Sequence, residues 1–526
     1  MRTPMVRSAF LVLLCTVRLH AQGGHAHGDT ERLGSVHFAT SCAPAVAPDF
    51  DRAVALLHSF EFGASIRAFT SILQSDSTCA MAQWGIALSR WSNPMASVSR
   101  APAQLELGRQ AAANASRLSA STTERERGYA AAVSELFADV EHRNQRTRID
   151  AYERAMDALA ASQPADTEAQ IFHALSLVAA ALPTDKTYAR QLKAGAILES
   201  IWARQPNHPG LAHYIIHAYD VPALAPRASI AAQRYADIAP SAAHALHMPS
   251  HTFTRVGQWQ ESIATNRRSI EAAKPEGSIS EMLHASDYME YAFLQMGRTA
   301  EAKAVLDGLA ALAARFDVNA VTGAAPGSAG VFALAAIPAR YALERGQWAE
   351  AAALVPASTA YPYADALTHF ARAIGAAHLG DVATARASAD AVVVLRAGLV
   401  AANEEYWAEQ LAIEETGARA WIAFAEHRND DALRLMREAC VREDATEKGA
   451  ITPGPLAPAR ELLADMLLAL GRPADALVEY RQTLTREPNR YRSLDGARRA
   501  AGAAGDGVAE GQYAALLRAL TAGPRP

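Results

Sequence analysis

The chain has 526 residues, of which 50% are hydrophobic and 20% charged, with a formal net charge of −5. That length is too great for one compact globule but suits a solenoid. The weakly acidic balance argues against nucleic acid, whose binders carry a basic footprint. Aromatic residues make up only 7%, alanine is frequent and no sustained period-two pattern occurs, so the chain reads as all-α.

In chain order, residues 1–21 have the pattern of a secretory leader. Arg2 and Arg7 precede the apolar stretch SAFLVLLCTV (8–17), which is too short to span a bilayer, and Ala21 offers a small residue for cleavage. Arg18, just after the apolar stretch, departs from that pattern. No later apolar run is long enough to cross a membrane, so an exported protein, periplasmic or secreted, is expected. Residues 22–49 form an arm, and composition reads 22–35 and the last few residues as disordered. His25 and His27 fall in that arm. In an oxidising compartment Cys42 and Cys79 can pair, tying the arm to the array; two buried thiols are the alternative. Cys440 reads as a buried helix residue.

Helical repeats are expected over 50–160, 161–310 and 311–526, with the histidine-rich stretch in the middle block. The clearest unit is 457–490, APARELLADMLLALGRPADALVEYRQTLTREPNR. An apolar helix runs to Gly471, a second carries Ala476, Leu477 and Tyr480, and Pro488 closes the pair. Weaker copies turn at Gly257, Gly297, Gly346 and Gly380 and at EHRN (426–429). Small residues at crossings, a turn glycine and a closing proline are what a stacked helical hairpin needs. The expected fold is therefore a TPR-like α-solenoid, a right-handed superhelix of roughly eight to ten hairpins. Two long loops interrupt it, 317–330 and 449–458. The second, with EDATEK (443–448) before it, is long enough to fold over the groove as a lid.

The chain also resembles a family of exported bacterial tetratricopeptide (TPR) repeat proteins over nearly all of its mature length. The resemblance rests on VHFATSC (36–42), FDRAVALLHSF (50–60), CAMAQWGIA (79–87), NHPGLAHYIIHAYD (207–220) and HALHMPSHTFTRVGQW (244–259). EDATEK, TPGPLAPARELLADML (452–467) and PNR (488–490) complete it. Gly449-Ala450 stands where the family pattern has His-Pro. The resemblance implies the repeat fold and an exported location and supplies no reaction.

The most informative motif is a duplicated pair. His213 and His217 recur as His247 and His251, 34 residues on, the length of one TPR repeat. Histidines four apart share a helix face, and neighbouring helix axes lie about 8–10 Å apart, so four imidazoles can converge. Pro249, between the second pair, is expected to kink its helix. Counting back from the turn glycines, Asp287 and Tyr291 hold the offsets of His247 and His251, and so do Glu461 and Asp465. His173, Asp220, His244 and His284 complete the candidate concave face.

Three readings of this face are open. The first is a groove for a protein, peptide or small anionic ligand, formed by His173, His213, His217, Asp220, His244, His247, His251, His284, Asp287 and Tyr291. The second is a metal site on His213, His217, His247 and His251, suited to Zn, Cu, Fe or Ni, with Asp220 or Asp287 as outer partners. If catalytic, it would be a metal-dependent hydrolase or oxidase. It is no zincin, since Tyr214 follows His213 where glutamate is required. The third is histidines satisfying one another in a packed interior. The first is the leading reading and the second its alternative. His58, near the cysteines, reads as structural.

Overall fold

The computed structural model describes residues 31–96 and 100–522. The leader read at 1–21, His25, His27 and the end of the tail lie outside the described residues. From Arg32 on, the chain forms one compact unit. It is built of α-helices from Ala47–His58 to Gly507–Thr521, with no strand among the described residues. None of the described helices is long and apolar enough to cross a membrane.

The helices stack in chain order, each packing on the next, and alternate helices such as Ile279–Gln295 and Gly327–Glu344 also pack on one another, which makes the molecule a TPR-like α-solenoid. The local cause is a repeated turn. Gly257, Gly297, Gly346, Gly380 and Gly471 all take left-handed φ values of 62–77°, and His427 takes the same conformation in EHRN. In each case the next residue's N–H reaches back to a carbonyl five residues earlier. Gln258 bonds Phe253 at 2.7 Å, Arg298 bonds Phe293 at 2.9 Å and Arg472 bonds Leu467 at 2.9 Å. This Schellman closure satisfies the last carbonyls of one helix and turns the chain into its partner. Alanines such as Ala336, Ala366, Ala373 and Ala376 are fully buried where helices cross.

Three segments depart from the plain stack. The arm is packed: Arg32 N–H donates to Ser241 Oγ (2.8 Å) and Ser35 N–H to the Asn207 carbonyl (2.9 Å). Phe38 lies 5.2–5.5 Å from the rings of Phe50, Trp84 and Tyr129. The expectation of disorder for residues up to 35 thus fails over 31–35. Polar composition hides a strip of backbone bonded to two turns, followed by the anchoring Phe38. Cys42 and Cys79 are disulfide-bonded, with Cα atoms 4.8 Å apart, while Cys440 is a buried free thiol. The two long loops run inward, with Ala324, Ala325, Thr452 and Leu456 buried.

The boundaries read at 49/50, 160/161 and 310/311 fall inside the helices Ala47–His58, Gln145–Ser162 and Thr299–Ala313. Pro249 breaks its helix at Met248 into Ala243–His247 and Pro249–Arg255, because its ring nitrogen has no hydrogen to donate.

Candidate functional site

Three helices carry the histidines: Pro209–Ala218, the broken pair Ala243–His247 and Pro249–Arg255, and Ile279–Gln295. Pro209 starts the first, where a missing N–H costs nothing. All three are buried almost all round. Of the ten residues expected on the concave face, nine are buried, and the Asp220 side chain is 8% exposed.

The imidazoles divide into two sets of three. In the first, His213, His217 and His244 each offer a ligand nitrogen, all within 4.8 Å of one another. The Nε2 atoms of all three are buried and have no hydrogen-bond partner in the protein. His213 Nδ1–H donates to the His58 carbonyl at 2.6 Å, and His244 Nδ1–H donates to Glu281 Oε1 at 3.1 Å. A carbonyl or an ionised carboxylate can only accept, so these contacts fix the proton on Nδ1 and leave Nε2 as a lone pair. Burial alone would raise the Glu281 carboxyl, but His244 and His247 hold it down to about 2. Phe60 covers the set, its ring centroid 4.3 Å from His213 and 5.8 Å from both His217 and His244. Phe60 is itself left-handed, at φ 57°, a conformation that costs a non-glycine residue energy.

In the second set, His247, His251 and His284 meet the same 4.8 Å condition. His247 Nδ1–H donates to Asn266 Oδ1 at 2.7 Å. The amide is oriented by its own Nδ2, which donates to the Ser262 carbonyl at 2.8 Å. His251 Nδ1–H donates to Asp220 Oδ2 at 2.9 Å. The two remaining nitrogens, His247 Nε2 and His251 Nε2, face each other at 3.1 Å, and His284 Nδ1 has no partner. Burial would raise Asp220, yet Lys448 and Arg255, with His251 donating to it, hold it well below the carboxylate range. Arg255 Nε donates to it at 2.8 Å.

Burial dominates His213, His217, His247, His251 and His284. It pushes His213, His217 and His284 well below the ordinary histidine value, helped by the neighbouring rings. It lowers His247 to about 3 and also lowers His251. These rings are therefore neutral, the form that binds metals.

Two segments close the site. On one side, Gly63 N–H donates to the Thr322 carbonyl (2.7 Å), and Ala325 N–H donates to Glu281 Oε2 (2.9 Å). On the other, Tyr288 OH meets the carbonyls of Ala450 (3.2 Å) and Thr452 (3.1 Å), and Lys448 Nζ stands 3.8 Å from Asp220 Oδ1. Lys186 Nζ holds the start of this second strap by donating to Glu447 Oε1 at 2.6 Å.

The other expected residues lie elsewhere. His173 Nε2 is 3.2 Å from Asp157 Oδ1, outside both sets. Asp287 lies 3.4 Å from Arg340 Nε, and Tyr291 OH accepts from Arg490 Nη1 at 3.1 Å, so both belong to an arginine network. A third cluster was not anticipated. Glu168 takes His58 Nε2 and His208 Nε2 on its two oxygens, each at 2.9 Å. His58 Nδ1 meets Tyr214 OH at 2.9 Å and His208 Nδ1 has no partner, so one carboxylate ties the two rings together through their Nε2 atoms. Sequence reasoning also missed Phe60, Asn266, Glu281 and Tyr288. Only Glu281 and Tyr288 carried a signal, lying near His284 on one helix.

No protein-family model matches the chain, and no curated protein matches it. Among solved structures the chain is similar to a human IFIT1 dimer with PPP-AAAA, at 10% identity over 80% of this chain and 87% of that one, with a TM-score of 0.35. It is similar to the APC/C hetero-tetramer Cut9–Hcn1, at 13% identity over 86% and 89% with a TM-score of 0.30. It is also similar to Naa15/Naa10 bound to HypK-THB, at 14% identity over 91% and 69% with a TM-score of 0.23. These likenesses are too distant to bear on the site.

Proposed function

We propose that this protein is a metal-binding solenoid, holding transition-metal ions on His213, His217 and His244 and on His247, His251 and His284. One observation carries the reading: buried imidazole nitrogens without hydrogen-bond donors converge, while the opposite nitrogens of His213, His244, His247 and His251 are tied to carbonyl, amide or carboxylate oxygens. A buried polar atom normally has a partner. Hydrogen bonds from the far ring nitrogen are what orient histidine ligands. The contact between His247 Nε2 and His251 Nε2 sets two lone pairs against each other, an arrangement that a shared cation relieves. All-imidazole sets suit Cu, Zn, Fe or Ni. All six rings are buried, which favours an ion over a peptide as the ligand. The Cys42–Cys79 bridge supports the reading of an exported protein.

Element analysis after metal-replete dialysis tests this. Stoichiometric transition metal is expected in the wild-type protein, with loss in a folded His213→Ala/His247→Ala variant. Protein that takes up no stoichiometric metal, or a variant that retains the full amount, would overturn the reading.

A further inference from the structure

We infer that the two histidine sets form one binuclear centre, in which two metal ions share a small bridging oxygen ligand of the hydroxide class. This rests on the metal-binding reading and goes beyond it, because two separate ions would satisfy that reading equally well.

The first support is how the sets are assembled. Each takes an i, i+4 pair from one first helix and a single histidine from the next: His213 and His217 with His244, then His247 and His251 with His284. The same rule is applied twice along the stack, one repeat apart. The middle helix therefore serves both sets. His244 and His247 lie one turn apart on it and face the same side of the array, so two ions held by this helix are neighbours by construction.

The second is spacing. Across the divide, His244 and His247 have ring centroids 5.8 Å apart, and His217 and His251 6.0 Å apart. Inside the sets the separations are 4.8 Å for His213–His217, 5.0 Å for His213–His244, and 4.5 Å and 6.2 Å for His284 with His247 and His251. His247–His251 adds 5.0 Å, so the gaps between the sets are wider than most of those within them but stay below the widest, 6.2 Å. Ligand nitrogens lie about 2.0–2.1 Å from an ion, and ring spacings of this order are compatible with the separation of about 3.5–4 Å typical of two-metal sites.

The third is coordination and charge. Three protein nitrogens leave each ion an open position, and here the open positions belong to adjacent ions. No carboxylate is among the six ligands. The ionised acids, Glu281 and Asp220, stand one bond further out behind His244 and His251, and Asp220 is already shared with Arg255 and Lys448. Two divalent ions held by neutral ligands call for an anion between them. Phe60 packs against one side, its ring 5.8 Å from both His217 and His244, and Tyr288 against the other, 4.8 Å from His251.

The test is copper loading of the full chain, oxidised with ferricyanide, with the EPR spin count set against copper content from element analysis. Two coppers per chain with far fewer than two spins are expected, since a hydroxide bridge couples the ions. His284→Ala should bind one copper and return one full spin. Because that change is buried, His217→Ala, which opens the other set, gives the same readout if the first variant fails to fold. Two coppers with two spins, or one copper with one spin in the wild type, would sink the pair and leave metal binding standing. No bound copper, with no other transition metal taken up, would sink both.

Discussion

His247 and His251 stand ten and six residues before Gly257, and Glu461 and Asp465 stand ten and six before Gly471. These equivalent places in the repeat have opposite fates. Glu461 accepts from Arg490 (2.7 and 3.0 Å), Arg492 (3.1 Å) and Ser493 (2.5 Å). Asp465 accepts from Arg492 (2.7 Å) and Tyr480. Every partner comes from the two helices that follow or from Arg490, which caps the second of them. The histidines find partners only for their outer nitrogens, and the next first helix brings another histidine, His284, instead of a counter-group. The offset itself marks only an inward-facing row of the solenoid. Whether that row is structural or a site depends on whether the following helices satisfy it.

The sharpest way to break this contrast is Arg490→Ala. Arg490 is fully buried between Glu461 and Glu344 (2.7 Å each), so its loss strands buried carboxylates and should cost about 3–5 kcal/mol. Denaturant melts should show that loss with metal content unchanged. A small loss, or a loss of metal, would mean that the two regions are not independent. Chelation should act in the opposite place. An ion at about a hundred times its dissociation constant stabilises by about 2.7 kcal/mol. Stripping it should lower protection from hydrogen exchange over 209–255 and 279–295 while leaving 459–503 unchanged. Uniform loss along the chain would contradict a local site.

Much of this architecture was legible because it depends on backbone chemistry. The turn glycines mark left-handed positions, and Pro249 marks a missing donor. The 34-residue shift placed the two histidine pairs on adjacent helices. The partition into sets was not legible, because it depends on side-chain direction. His244 precedes its pair by one turn and His284 lies on another helix, so spacing alone grouped the two pairs together. The 449–458 loop was long enough to read as a lid, but the contacts that hold it were hidden for a similar reason. Length gives no hint that Lys448 would stand beside Asp220 or that the Thr452 carbonyl would accept from Tyr288.

The turns themselves give smaller tests. Alanine at a left-handed position costs about 1–2 kcal/mol, and Gly471→Ala should show that cost alone, since nothing lies within 4 Å of the added carbon. Gly257→Ala should cost more. Its added carbon would stand 2.5 Å from the Pro488 carbonyl, beside the Asn489 Nδ2 bond to the Gly257 carbonyl (3.2 Å) and the Trp259 Nε1 bond to the Asn489 carbonyl (3.0 Å). Equal losses would show that this seam is slack.

His427 runs the same test in reverse. It holds φ 61° where the other repeats place glycine, and its N–H and the next follow the same closing pattern, to Phe424 (2.9 Å) and Ala423 (2.9 Å). The side chain is about as strained there as an alanine would be. His427→Gly should therefore stabilise the protein, by less than about 1 kcal/mol because glycine also gains freedom in the unfolded chain. Thermal melts of the metal-free protein would read the gain without interference from the central site. A loss instead would mean that the His427 ring contributes more than its backbone costs, and that this turn is not interchangeable with the glycine turns.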